Sequence, residues 1–218
     1  MSEHSPKTVV LATKNQGKIL ELGRMLKGSG LDIRVLGLAD FPDMPEVEET
    51  GRTFAENALL KAREISRYAG LPALADDSGL CVDSLNGEPG IFSARWAGTH
   101  GDDQANLEKV LRQLAELDQS AADPTLGVDR SARFVSAVAL VLPPDSTNPG
   151  GLEFVEEAVL LGEIMRHPVG DHGFGYDPIF KPQGFNATTA QMTPELKDSI
   201  SHRGKALRAM LPKLAQFI

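Results

Sequence analysis

The chain has 218 residues, 41% of them apolar and 24% charged, ordinary values for a soluble globular protein with enough chain for one large domain, 1–218, or two small lobes. A formal charge of −8 argues against broad binding to duplex nucleic acid, which needs a basic surface, but not against a small anion gripped by a few clustered cations. The single cysteine, Cys81, excludes a disulfide framework and a cysteine-based metal cluster, and no run is apolar enough for a membrane span or a signal peptide, so a cytoplasmic protein is expected.

Thr8 to Ala12 is a short β-branched apolar run, the mark of a buried strand. After the polar loop Thr13–Lys18, the residues Ile19, Leu22, Met25 and Leu26 recur at helical spacing until Gly28-Ser29-Gly30 stops them. Leu31 to Leu36 reads as a second strand, giving the strand–loop–helix–strand opening of α/β proteins. Pro42 to Gly51 is an acidic loop. Thr50 to Arg67 is strongly helical, with Phe54, Ala58, Lys61/Ala62 and Ile65 on one face and Gly70 at its end. Asp76-Asp77-Ser78-Gly79 is expected to be a turn between two extended segments.

Asp102 to Leu117 reads as another amphipathic helix, and Ala121 to Ser131 as a surface loop. Ala132–Leu142 and Leu152–Ile164 form an expected antiparallel hairpin across the connector Pro143–Gly151. A Gly-rich loop, a short strand at Pro178–Phe180 and a final helix from Gly204, kinked at Pro212, complete the chain. A mixed sheet flanked by helices is the expected fold.

Four constellations carry chemistry. Thr13, Lys14, Asn15, Gln16, Gly17 and Lys18 join a strand to a helix start, where free N–H groups and two lysines favour phosphate oxygens. The segment is not a P-loop, because Ala12 and Ile19 stand where that motif needs glycine and a hydroxyl. Adjacent residues in extended chain point to opposite sides, so only one of Asp76 and Asp77 can serve a given site, with Glu48 and Glu49 as the natural second source of oxygen ligands for Mg²⁺. Phe174, Gly175, Tyr176 and Asp177 offer close backbone approach, a ring for stacking and an acceptor. Lys197, His202 and Arg203 place cations where a helix dipole disfavours them, so they need an acceptor-rich partner; as pure donors, Lys197 and Arg203 would select a keto oxygen over an amino group. Each has an ordinary alternative: a solvated turn, a capping Asp, a glycine turn over a packed ring, a solvated helix start.

In their order, these segments resemble the inosine triphosphatase family of nucleoside-triphosphate pyrophosphatases. The resemblance rests on Leu11–Asn15 with Gly17-Lys18, Glu48–Gly51 with Thr53-Phe54 and Glu56–Ala58, and Ala75–Leu80. It continues through Gly87 with Pro89-Gly90, Ser93–Arg95, Gly173–Pro178 and Ser201–Arg203, covering nearly the whole chain. It implies an elongated mixed α/β fold of two lobes with a cleft, a homodimer, and Mg²⁺-dependent cleavage of dITP, ITP or XTP to the monophosphate and pyrophosphate. It further implies that Thr13–Lys18 hold the triphosphate, that Asp77 is the catalytic carboxylate and a metal ligand with Glu48 or Glu49, and that Ser78 touches substrate. Phe174–Asp177, Lys197, His202 and Arg203 would enclose base and sugar. The partner is then a purine nucleoside triphosphate, with neither nucleic acid nor membrane. Two other readings are a pyrophosphatase for a different base and a nucleotide sensor without hydrolysis. The carboxylate set speaks against the sensor, since binding a triphosphate alone needs cations.

Overall fold

Alternation along the first strand, β1 (Lys7–Leu11), sorts the N-terminal half of the molecule into two layers. Val9 and Leu11 point to one face and Val10 to the other, all fully or almost fully buried. The structure is a computed structural model describing residues 7–120, 127–146 and 148–218. The extreme N-terminus, residues 121–126 of the expected surface loop and Thr147 of the connector lie outside the described residues.

β1 is joined by β2 (Ile33–Gly37), β3 (Ala73–Val82), β4 (Ser131–Leu142), β5 (Leu152–Ile164) and β6 (Phe180–Pro182) in one sheet, ordered β2-β1-β3-β4-β5-β6. β1 runs parallel to both β2 and β3, while β6 runs antiparallel to β5, so the sheet is mixed as expected. The helices are α1 (Gln16–Gly28), α2 (Phe54–Ala69), α3 (Asp103–Ser120), α4 (Pro194–Ile200) and α5 (His202–Phe217). The seven-residue α4 was not expected from the sequence; Thr193 caps it and Pro194 opens it. The short strand expected at Pro178–Phe180 begins two residues later, because Asp177–Ile179 form a 3₁₀ turn with Pro178 inside its start. Pro212 sits within α5, which continues to Phe217.

The chain divides into two compact units. The first holds Met1–Asp77, Ser136–Ala158 and Arg203–Ile218. On one face of its strands, Val9, Leu11, Leu74, Val138 and Leu140 pack with Leu22 and Leu26 of α1 and Leu207, Met210 and Leu214 of α5. On the other, Val10, Ala73, Ala75, Ala137 and Ala139 pack with Ala58, Ala62 and Ile65 of α2. Small alanines on that face let α2 approach closely, and α2 itself is set by sequence. Thr53 caps it in a reciprocal capping box with Glu56, and Gly70 closes it in the left-handed conformation, φ 65°.

The second unit holds Ser78–Val135 and Val159–His202. Its core joins Leu107, Val110 and Leu114 of α3 to Leu80, Phe134, Ile179 and Phe180. Asn106 ties α3 to the preceding turn, its Oδ1 accepting from Ala97 N at 2.7 Å and its Nδ2 donating to Ala94 O at 3.2 Å. At the far end of α3, Asp118 accepts from Val128 N at 2.7 Å, Arg130 at 2.6 Å and Arg166 at 2.7 Å. The Val128 N–H and the Arg130 guanidinium hold its carboxyl down at about 2. A depressed carboxyl stabilises the folded chain above its unfolded pKa and loses that contribution as pH falls through the folded one. Asp118→Asn is therefore expected to melt below wild type at pH 7, with the gap closing between pH 4 and pH 2; a gap independent of pH, in parallel thermal melts, would reject the ionic origin.

Candidate active site

Strand parity decides where the acidic pair goes. Ala73 and Ala75 face α2, so Asp77 does too; Leu74 faces α1 and α5, and Asp76 follows it. The turn expected at Asp76–Gly79 is not formed: β3 runs unbroken through all four residues. Aspartate and glycine are poor strand formers, but the cations described below compensate the carboxylates, and tertiary context overrides the local preference.

Asp76, 1% exposed, accepts from Ser136 Oγ at 2.5 Å and pairs with Lys18 Nζ at 2.8 Å and Arg203 Nε at 3.3 Å. Arg203 also bonds through Nη1 to the buried Glu21 of α1. Burial alone would raise the Asp76 carboxyl, but Arg203 and Lys18 outweigh it and hold it well below the usual range. Burial lowers the Lys18 ammonium below its ordinary value despite Asp76. The acceptor-rich partner demanded by a cation at the start of α5 is thus Asp76 with Glu21, and Arg203 belongs to the first unit, Lys197 to the second.

Asp77 meets different neighbours. Its Oδ1 lies 2.7 Å from Lys61 Nζ, which also reaches Glu49 Oε1 at 2.9 Å, and its Oδ2 lies 3.4 Å from Asn57 Nδ2. Burial pushes the Asp77 carboxyl above its ordinary value, with Lys61 and Lys18 opposing. Burial would lower Lys61, yet Asp77 and Glu49 together outweigh it and raise the ammonium. Lys61 is the member of this cluster that the sequence does not single out, since its spacing places it on the apolar face of α2. Its signal was there: a lysine on a buried helical stripe requires carboxylate partners. Of the two acidic-loop candidates, Glu49 is half-buried at this cluster while Glu48 is exposed.

The N-terminal loop is pinned at both ends. Thr13 Oγ1 accepts from Asn15 N at 3.1 Å, and Asn15, the N-cap of α1, accepts from Lys18 N at 3.0 Å. Gln16 and Gly17 open the helix, and Lys14 projects into solvent, 3.2 Å from Glu46 of the acidic loop.

The second unit gathers a separate group. Asp177, 3% exposed, accepts from Phe174 N at 2.8 Å and Thr189 Oγ1 at 2.7 Å, and forms an ion pair with the buried Lys197. The Lys197 ammonium sits 5.0 Å from the centre of the half-buried Phe174 ring. Gly175, at φ 61°, donates to Asp103 at 2.8 Å. Tyr176 is buried, its hydroxyl donating to Ser93 O at 2.8 Å, so Phe174 is the more open of the two rings. His202 stacks on Phe134 at 4.8 Å and 15°. Ser78, half-buried in β3, follows Asp77 directly.

Among the described residues, no cluster of three or more His, Cys, Asp or Glu side chains is disposed to hold a metal by itself, and Asp77 and Glu49 are two carboxylates drawn together by Lys61. Two carboxylates suit Mg²⁺, which keeps waters and takes the rest of its oxygen ligands from substrate phosphate.

The sequence profile of the Ham1 family matches residues 9–213. The dITP/XTP pyrophosphatase of Streptomyces coelicolor is 51% identical over 96% of this chain and 98% of its own length. That of Nocardia farcinica is 50% identical over 95% and 94%. Among solved structures, a HAM1 protein from Coxiella burnetii superposes with a TM-score of 0.79 at 41% identity, covering 96% of this chain and 99% of that one. A nucleoside-triphosphatase, dITP/XTP pyrophosphatase, from Mycobacterium abscessus gives 0.69 at 48% identity, covering 94% and 99%. With the mixed sheet and the ordered motifs in place, these likenesses make the chain a member of the Ham1 family.

Proposed function

We propose that this protein hydrolyses non-standard purine nucleoside triphosphates (dITP, ITP and XTP) to the nucleoside monophosphate and pyrophosphate. The observation that carries the reading is the Asp77–Lys61–Glu49 cluster: a buried carboxylate of raised pKa, ion-paired to a lysine that a second carboxylate shares. The names of relatives that match nearly end to end support it.

Asp77 is the general base in this reading. Burial makes its carboxylate more basic than an exposed aspartate, while Lys61 opposes that shift and fixes one oxygen. Its other oxygen, 3.4 Å from Asn57 Nδ2, keeps a lone pair to take a proton from the attacking water. Lys61 and Lys18 supply positive charge for the phosphates, and Thr13–Gly17 supply hydrogen-bond donors beside them. Asp77 and Glu49 would hold a Mg²⁺ ion, which when bound neutralises phosphate charge and orients the water. Glu48, exposed, is the less suited of the two acidic-loop ligands. Base recognition falls to the second unit: Lys197, held by Asp177, donates to a 6-keto oxygen, Phe174 offers its ring, and His202 is oriented by Phe134. An amino group at that position would leave the buried ammonium facing a donor, which disfavours ATP. The buried lone thiol and the substrate class support a cytoplasmic setting, and we assign the working form as a homodimer.

A nucleotide panel with Mg²⁺ tests this, with pyrophosphate and orthophosphate measured separately. ITP, dITP and XTP are expected to release pyrophosphate directly, with ATP slower by about 10² or more in kcat/KM. Orthophosphate as the direct product rejects the reaction, and equal rates for ATP and ITP reject base reading by Lys197. Light scattering on the same preparation distinguishes a 23.4 kDa monomer from twice that mass.

A further inference from the structure

The acidic loop and β3 are separated by a whole helix in sequence, yet both come to the same lysine. One side chain joins them. Asn57, in the first turns of α2, is fully buried. Its Oδ1 accepts from Gly51 N at 2.8 Å, and because a backbone N–H can only donate, the orientation of the amide is decided by that bond. The Nδ2 group is therefore turned toward Asp77 Oδ2, at 3.4 Å. Gly51 lies two residues beyond Glu49. The loop approaches Asn57 so closely that a Cβ at Gly51 would lie 2.6 Å from Asn57 Oδ1 and 2.9 Å from Asn57 N.

We infer that Asn57 is a positioning residue, coupling the acidic loop to Asp77 so that Glu49 and Asp77 present their oxygens to one divalent cation. The inference rests on the function proposed above. Asn57 acts at both ends of the pair: it holds the loop that carries Glu49 and orients the Asp77 oxygen that Lys61 does not take. Aspartate in its place would put a like charge against Asp77, and alanine would leave both the Gly51 N–H and the Asp77 oxygen without this partner. Gly51→Ala breaks the same link from the loop side without touching either carboxylate.

The test uses the full chain and Mn²⁺ alone as the probe, free ion being read by electron paramagnetic resonance, beside steady-state kcat and KM for ITP. In both Asn57→Ala and Gly51→Ala, Mn²⁺ binding is expected to weaken about tenfold or more and kcat to fall with it, while KM for ITP holds. Ala58→Gly, one residue along α2 in the alanine-lined core, serves as the control: it lowers the melting temperature and leaves Mn²⁺ binding unchanged. If Asn57→Ala does not fold, Gly51→Ala decides. Unchanged Mn²⁺ binding in the variants, beside a wild type that binds the ion, overturns the inference and leaves the proposed reaction standing. Equal weakening in Ala58→Gly overturns it too, because the effect would then be general loosening of the helix. A wild-type chain that neither binds Mn²⁺ nor turns over ITP overturns the reaction itself, and this role with it.

Discussion

Asp77→Asn is expected to cut kcat by about 10³-fold, roughly 4 kcal/mol of barrier, while KM for ITP changes little. The substitution keeps the size and one acceptor oxygen, so Lys61 retains a partner at 2.7 Å as well as Glu49 at 2.9 Å, and the packing against α2 survives. What disappears is the capacity to take a proton, together with the negative charge that Asp77 would offer a divalent cation. The measurement is steady-state release of pyrophosphate together with equilibrium binding of ITP to the variant. Loss of binding in step with rate would make Asp77 a substrate-holding residue, and an undiminished kcat would remove it from the chemistry. Because the same substitution discards a carboxylate beside Lys61, a modest change in melting temperature is expected and does not bear on the assignment.

The largest effect on stability is expected at Arg203. Its guanidinium is 3% exposed and bonds to two carboxylates, Asp76 and Glu21, that are themselves 1% and 6% exposed. Arg203→Met takes the guanidinium from both in the interior, while Asp76 keeps Lys18 at 2.8 Å and Ser136 Oγ at 2.5 Å. Breaking one partner out of a buried ionic cluster costs about 3–5 kcal/mol, because the remaining charges are desolvated without compensation. In a chain of this size that corresponds to a fall in melting temperature on the order of 10 °C. Urea denaturation at neutral pH reads the loss directly; a change under about 1 kcal/mol would mean that water reaches the carboxylates in the variant. Arg203→Lys retains charge but not the two-pronged geometry, and is expected to fall between. The same pair of variants separates two roles. If Arg203 reads the purine, as the family resemblance implies, Arg203→Lys changes the ITP-to-ATP ratio; if it holds the cluster, the ratio stays and the melting temperature drops.

Much of this was legible before any coordinates. Gly70 after Ala69 marks the end of α2 in the sequence, whereas the start expected at Thr50 falls four residues early, because the Thr53–Glu56 capping box opens the helix at Phe54. The alternation rule separated Asp76 from Asp77, and the partners found on either side of β3 are different ones. The unreadable parts share one physical cause: they depend on contacts between residues distant in sequence. Glu21 sits beside Leu22 in α1 with nothing local to announce that it meets Arg203, 182 positions on. Lys61 fell on the apolar face by spacing, and only Asp77 and Glu49, brought in by β3 and the acidic loop, explain why a cation is buried there. The Asp-Asp-Ser-Gly run carries turn-forming residues, and its extended form is imposed by neighbouring cations that local preference does not register. α4 is too short for periodicity to reveal it.

The unbroken course of β3 also restricts how this lineage can change length. Inserting or deleting a single residue ahead of Asp76 would exchange the two aspartates between their pockets, carrying one toward Lys61 and the other toward Lys18. Indels in that segment are therefore tolerable only in pairs, or where a bulge absorbs the odd residue, whereas the loops before and after it are under no such arithmetic.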